Sequence, residues 1–214
     1  LYLDEPLLKT VTNFPDSLYI VYMYNGKVTS IPNYPAGFTH LILHETGLTS
    51  IPTLPSTLRV LDLIGNKGIT SLPGLNNTTN TLELFQVSDN SIPSPPDLSA
   101  FQSLNNVYIN ENKWTGFKFN NSKVSIFQAM GNRFDTVPDL NPALVMTHIR
   151  LDRNKLTFAD LIKLDVQGIQ KPSGQFTYTY ENQDSLGTKI TTTLNQGANF
   201  TIDLDIDDAL TSNV

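Results

Sequence analysis

The sequence of 214 residues contains no cysteine, so no disulfide, thiol nucleophile or zinc–thiolate site can form. No apolar run approaches the roughly 20 residues that a membrane-spanning helix needs, which excludes that kind of insertion. Basic residues are scarce: 14 Lys and Arg stand against 20 Asp and Glu, for a net charge of −6 and a pI near 4.9. Binding by phosphate neutralisation needs clustered cations, so nucleic acid and anionic membrane surfaces are excluded as partners. An apolar share of 39% is ordinary for a folded chain and supplies ample core.

What is present is a repeat. The pattern apolar-x-x-apolar-x-apolar-x-x-Asn-x-apolar starts at Leu18, Phe38, Leu58, Leu82, Leu104, Val124 and Met146, at intervals of 20, 20, 24, 22, 20 and 22 residues. Leu104, Val107, Ile109, Asn112 and Trp114 fill the five key positions of one copy, and Val124, Phe127, Ala129, Asn132 and Phe134 those of the next. A period of this size fits a stacked solenoid in which each turn gives one strand and one return segment. No turn buries its own apolar face, so each depends on its neighbours. Gly26 and Thr46 stand where Asn is expected, and the copy at Leu58 carries one extra residue before Ile69. Leu1, Leu3 and Leu8 fit the later positions of a copy whose start is missing, so the chain reads as a piece of a longer protein.

Over residues 1–156 these motifs resemble the leucine-rich repeat family. The resemblance implies a leucine-rich repeat solenoid, a horseshoe with a parallel β-sheet on its concave side, built from seven full repeats after a partial first one. Eight rungs spaced by about 4.8 Å make a sheet roughly 34 Å across. The returns are rich in proline, as at Ile31-Pro32, Ile51-Pro52, Leu72-Pro73, Ile92-Pro93 and Val137-Pro138. Proline removes amide donors and fixes φ, so the convex side is expected to be mostly non-helical. Such short returns look like those of compact bacterial repeat proteins, and the lack of the cysteine caps common in animal and plant members points the same way.

Residues 157–214 break the register. Thr157-Phe158-Ala159-Asp160 reads as a capping box for a short helix including Leu161, Ile162 and Leu164. Alternation over Phe176–Tyr180, Lys189–Leu194 and Phe200–Ile206 then reads as half-buried strands, making a C-terminal cap and β-strand linker. The runs Leu156–Asp160, Gln183–Gly187 and Phe200–Leu204, with Tyr180, resemble the segment that joins leucine-rich repeats to immunoglobulin-like modules in secreted surface proteins of Bacteroidetes-type bacteria. That resemblance implies an extracellular or cell-surface location.

Catalysis needs a nucleophile, a base and an orienting group converging in a pocket, and a solenoid sheet offers a shallow surface instead. No catalytic residue is assigned, and the chain is read as non-catalytic. His40, His44 and His148 all fall on the concave side. His40 and His44 sit four apart on one strand, roughly 13 Å between Cβ atoms, too far to share a metal. The lateral neighbours of His44 are Tyr24 and Ile64. Asp203, Asp205, Asp207 and Asp208 begin like a calcium loop but lack its glycine and closing acid, and read as a solvated strand face. No metal and no cofactor is expected. Asn66, Asn90, Asn112, Asn132 and Asn154 recur at one position, where a buried amide bonds backbone groups exposed by the bend after each strand.

Function is therefore read from the concave rows. The central row is Tyr2, Tyr22, Ile42, Asp62, Gln86, Tyr108, Gln128 and Arg150; one pleat later lie Asp4, Tyr24, His44, Ile64, Ser88, Asn110, Met130 and Asp152. One pleat earlier lie Ile20, His40, Val60, Leu84, Asn106, Ile126 and His148. The candidate ligand-binding set is the whole central row, with Asp4, Tyr24, His44, Ile64, Asn110, Met130, Asp152 and His40. A contiguous apolar and aromatic patch of this extent marks an interaction site. Tyrosine anchors, aliphatic contacts and sparse charge fit a protein or peptide partner, in adhesion or recognition. The alternative is a polysaccharide stacked on Tyr2, Tyr22, Tyr24 and Tyr108.

Overall fold

Period-two alternation decides the strands. In each of the seven full repeats the fourth and sixth positions, such as Leu61 and Leu63 or Val107 and Ile109, are fully buried, and the residue between them is turned to the other face. The computed structural model describes residues 1–3, 7–119, 123–138, 140, 146–157 and 160, and the backbone of 177–179, 191–193 and 201–203. Eight strands follow from the repeats: β1 (Tyr2–Leu3), β2 (Ile20–Tyr24), β3 (His40–His44), β4 (Val60–Asp62), β5 (Leu84–Gln86), β6 (Asn106–Tyr108), β7 (Ile126–Gln128) and β8 (His148–Arg150). Each pairs in parallel with the next in chain order, and no rung slips: Tyr2, Tyr22, Ile42, Asp62, Gln86, Tyr108, Gln128 and Arg150 are successive Cα partners.

The sheet has one strand more than the eight rungs expected. β9 (Thr177–Thr179) pairs in parallel with β8, while β10 (Thr191–Thr193) and β11 (Thr201–Asp203) form an antiparallel pair. Alternation alone predicts a strand at β9; its place beside β8 is invisible in sequence because the repeat spacing has ended. Thr157 makes half of the expected capping box, its backbone N–H and hydroxyl donating to Asp160 Oδ2 at 2.8 and 2.6 Å. Leu161, Ile162, Leu164, the Gln183–Gly187 run and the acids from Asp205 onward lie outside the described residues.

One apolar cluster runs from Phe14 to Leu156, with Phe38, Phe85, Phe101, Phe119, Phe127 and Phe134 at most 1% exposed. The convex returns are irregular, made of turns, bends and unassigned segments, in keeping with their prolines. Among the described residues, helix is confined to a 3-10 turn at Leu75–Thr78 and to Asp160, and no helix is long and apolar enough to cross a membrane. That turn lies in the longest repeat and starts from Gly74 at φ +77°, where a Cβ would stand 2.9 Å from the Leu54 backbone. The extra residue before Ile69 has an equally local cause. A Cβ on Gly68 would come within 2.5 Å of the Leu48 carbonyl, so the chain passes against the previous rung there and the buried role moves to Ile69.

The bend after each strand is held by the asparagines. The residue before each Asn position adopts the left-handed region, from Asn25, Glu45 and Gly65 through Asp89, Glu111, Gly131 and Arg153, with φ between +50° and +70°. For the five that are not glycine this conformation costs on the order of 1 kcal/mol each. The neighbouring amide offsets it. Asn132 Nδ2 donates to the carbonyls of Ile109 at 2.8 Å and Ala129 at 3.2 Å, while its Oδ1 accepts from Trp114 N–H at 3.3 Å. Asn66, Asn112 and Asn154 bond the previous rung and their own in the same way. At Thr46 a hydroxyl replaces the amide and donates to Asn66 Oδ1 at 2.5 Å, keeping the 20-residue register. Asn132→Ala leaves the buried Trp114 N–H without its acceptor and takes one of two amide donors from each of the Ile109 and Ala129 carbonyls, and is expected to lower unfolding free energy by about 1–3 kcal/mol. An unchanged urea midpoint would contradict this.

Candidate functional site

Because the register holds, the non-core strand residues line up across the concave face as rows. The row before the central one runs Ile20, His40, Val60, Leu84, Asn106, Ile126, His148, again as Cα partners. In the later row Tyr24 pairs with His44, and Ile64, Asn110, Met130 and Asp152 hold the same offset from their own strands. Asp4 lies outside the described residues. Depth varies along the face. Tyr2 is 66% exposed, most of the set is half-buried, and Ile42 and Asp152 form floor at 6% and 7%.

The set divides into three groups. Toward β1 the rings of Tyr2 and Tyr22 lie 6.4 Å apart, Tyr2 and Tyr24 5.7 Å, and Tyr24 meets the edge of His44 at 4.8 Å. His44 continues this chain of contacts, its Nε2 standing 2.9 Å from Asp62 Oδ1. Lateral register pairs Asp62 with Ile42, so reading straight across the rungs misses this contact. It is a diagonal one, between residues two apart on one strand and their neighbour on the next, which long side chains span. Near β8, Arg150 Nε stands 3.6 Å from Asp152 Oδ2. Between the two groups lie Gln86, Tyr108 and Gln128, with Asn106 of the earlier row beside them.

Asn110 belongs partly to structure. Its Oδ1 accepts from Met130 N–H at 2.9 Å and its N–H donates to Ser88 Oγ at 3.1 Å, so it ties rungs together as well as facing out. His40 and His148 share a local device, each ring Nδ1 resting against the hydroxyl of the preceding threonine, at 2.7 Å on Thr39 and 3.0 Å on Thr147.

Burial sets the electrostatics. It pushes the Tyr24 and Tyr108 phenols up, with the Asp62 charge adding to the effect at Tyr24, and it pulls the His40 imidazole down, helped by Arg59 and opposed by Glu83. Asp62 is raised above the ordinary carboxylate value of 3.8, mainly by burial, although the His44 contact and the Ile64 N–H pull the other way. Among the described residues no group of three or more acids or histidines is arranged to hold a metal. A groove of about 600 Å³ opens on the convex side between Thr70–Asn76 and Ile92–Asp97. Its acid, Asp97, is already turned to Ser99, accepting from the N–H at 2.9 Å and the hydroxyl at 2.5 Å.

Asp62 therefore carries a charge that the folded state does not favour. A carboxyl raised on folding lowers stability above its folded pKa, and the deficit disappears below the unfolded value. Asn at this position keeps the shape and an oxygen beside His44 without the charge. Asp62→Asn is expected to melt higher than the parent at pH 7.5, with the gap closing as pH falls toward 4. A variant less stable at pH 7.5, or a gap constant with pH, would contradict the assignment.

No protein-family model and no curated protein matches the sequence. Solved structures do. YopM from Yersinia enterocolitica WA-314 superposes with a TM-score of 0.58 at 18% identity, over 86% of this chain and 47% of that one. YopM from Yersinia pestis, described as a leucine-rich effector protein, gives 0.55 at 18% identity, over 87% and 62%. The chain thus spans about half to three-fifths of the length of these structures. At such identity the likeness speaks to fold, and together with the repeat, the parallel sheet and the asparagine ladder it establishes the chain as a leucine-rich repeat solenoid.

Proposed function

We propose that the chain is a non-catalytic binding module that recognises a protein or peptide partner through the concave face of its sheet. The observation that carries the reading is the in-register concave patch, where touching tyrosine rings, the floor residue Ile42 and half-buried aliphatic side chains lie side by side with few charges. Interface cores have this composition, rich in aromatic residues and poor in Lys and Glu. One similar structure is described as an effector protein, a role compatible with a partner-binding repeat surface. The resemblance of the tail adds a setting, a secreted or cell-surface bacterial protein engaged in adhesion or recognition.

A polysaccharide partner is the weaker reading. The planes of Tyr2 and Tyr22 are tilted by 40°, and those of Tyr2 and Tyr24 by 36°, so the rings give no flat platform for sugar stacking. With the partner captured on immobilised chain, Tyr22→Ala and Tyr24→Ala are expected to weaken binding by about 10-fold or more each, as anchor truncations do. The convex changes Asn33→Ala and Ser94→Ala leave it intact, and soluble polysaccharide does not compete. Loss of binding on convex substitution, or displacement by sugar, would refute the reading.

A further inference from the structure

Among the described residues five carboxylates are seen within 4.0 Å of a basic side chain, and for four of them that side chain is Lys or Arg: Glu83 with Arg59, Asp89 with Lys67, Asp152 with Arg150 and Glu111 with Arg153. Asp62 is the exception. It sits on the concave floor with its side chain 20% exposed, and the group against it is the imidazole of His44, whose Nε2 stands 2.9 Å from Oδ1 but outside hydrogen-bonding geometry, so this oxygen is buried without a hydrogen-bond partner. The nearby Arg59 is engaged by Glu83 at 2.6 Å.

Unmet acceptors continue beside it. Gln86 is the Cα partner of Asp62 on β5, and its Oε1 is buried without a donor. One strand further and one pleat back, Asn106 Oδ1 is in the same condition. Turning the Gln86 amide over would exchange one unmet oxygen for one donor, leaving the carboxylate charge and Asn106 as they are. Burying an acceptor without a donor is unfavourable, and more so where charge is involved. Three such side chains on three successive strands make a locus that asks for several donors and one positive charge. All three are half-buried rather than enclosed, so rotation about their terminal torsions presents the oxygens outward. Apolar and aromatic surface adjoins them: in the central row Ile42 lies between Tyr22 and Asp62, and Tyr108 lies beyond Gln86.

We infer that this locus receives an arginine side chain from the partner, a conclusion that rests on the reading of the concave face as a peptide-binding surface. Guanidinium supplies five N–H donors in one plane, pairs with a carboxylate through two of them, and lies against tyrosine faces while its alkyl stem covers aliphatic floor. Asp62 is the counter-ion, Gln86 and Asn106 accept the remaining donors, and Ile42 supports the stem. A lysine ammonium has three donors at a point and no plane, and a sugar hydroxyl brings no charge.

The test is selection of a random-peptide phage library on the immobilised chain at pH 7.5, followed by fluorescence anisotropy of the enriched peptides. The inference expects an enriched arginine whose replacement by citrulline, the same shape without charge, weakens binding by about 30-fold, as loss of an interface anchor does. Asp62→Asn is expected to weaken the arginine peptide by a similar factor and to leave the citrulline peptide nearly unchanged, the signature of a coupled pair. Peptides lost on Tyr22→Ala or Tyr24→Ala but indifferent to citrulline and to Asp62→Asn would overturn the arginine site while leaving the concave reading in place. A selection whose peptides ignore every concave substitution, or that yields no binder, would overturn both.

Discussion

The amide of the repeated asparagine is the interaction on which the rest depends. After each strand the chain must turn sharply, and the turn leaves carbonyls of two rungs facing inward with no strand partner. One carboxamide meets both: Asn154 Nδ2 donates to Ala129 and Leu151 carbonyls at 2.9 Å each, and its Oδ1 accepts Phe134 N–H at 3.0 Å. Each bridge joins a rung to its predecessor at a fixed offset, so the ladder sets register as well as satisfying polar groups. It also holds the left-handed residues that precede it, including glutamate and arginine, which gain nothing by themselves from that conformation.

Register, once fixed, separates the two sides of the solenoid. Variation in repeat length from 20 to 24 residues is taken up on the convex side, by the passage at Gly68 and the 3-10 turn at Leu75–Thr78, and β4 and β5 still pair in step. Side chains of the concave rows therefore stand at strand spacing whatever the returns do. Their identities are released from core packing, and a carboxylate that burial disfavours, Asp62, is accommodated among them.

How much of this is legible in the sequence follows from how local each cause is. The rows were legible residue by residue, because strand alternation and a fixed repeat period leave no freedom in assigning Tyr22, Ile42, Asp62 and Gln86 to one line. So was the structural role of Asn112 or Asn132. The His44–Asp62 contact was not, since it depends on side-chain reach across a diagonal rather than on register. Left-handed backbone at Glu45, Glu111 and Arg153 was equally hidden, because those residue types carry no signal for it, whereas Gly65 and Gly131 do and Asn25 and Asp89 carry a weaker one. The position of β9 was hidden for another reason, as β9 itself lies beyond the end of the repeat whose last strand it joins. Asn110 reads as a surface residue and turns out to share its carbonyl with Met130, which only the neighbouring rung reveals.

The absence of cysteine makes the central claim, docking on the concave sheet, directly measurable. A single cysteine introduced by Gln128→Cys on the concave face, or by Ser94→Cys on the convex side, can be labelled with a bulky maleimide and its effect on binding of a selected peptide measured. Labelling at position 128 should abolish binding and labelling at position 94 should leave it unchanged. Binding that survives the concave label and is lost with the convex one would contradict the assignment of the concave sheet as the recognition surface.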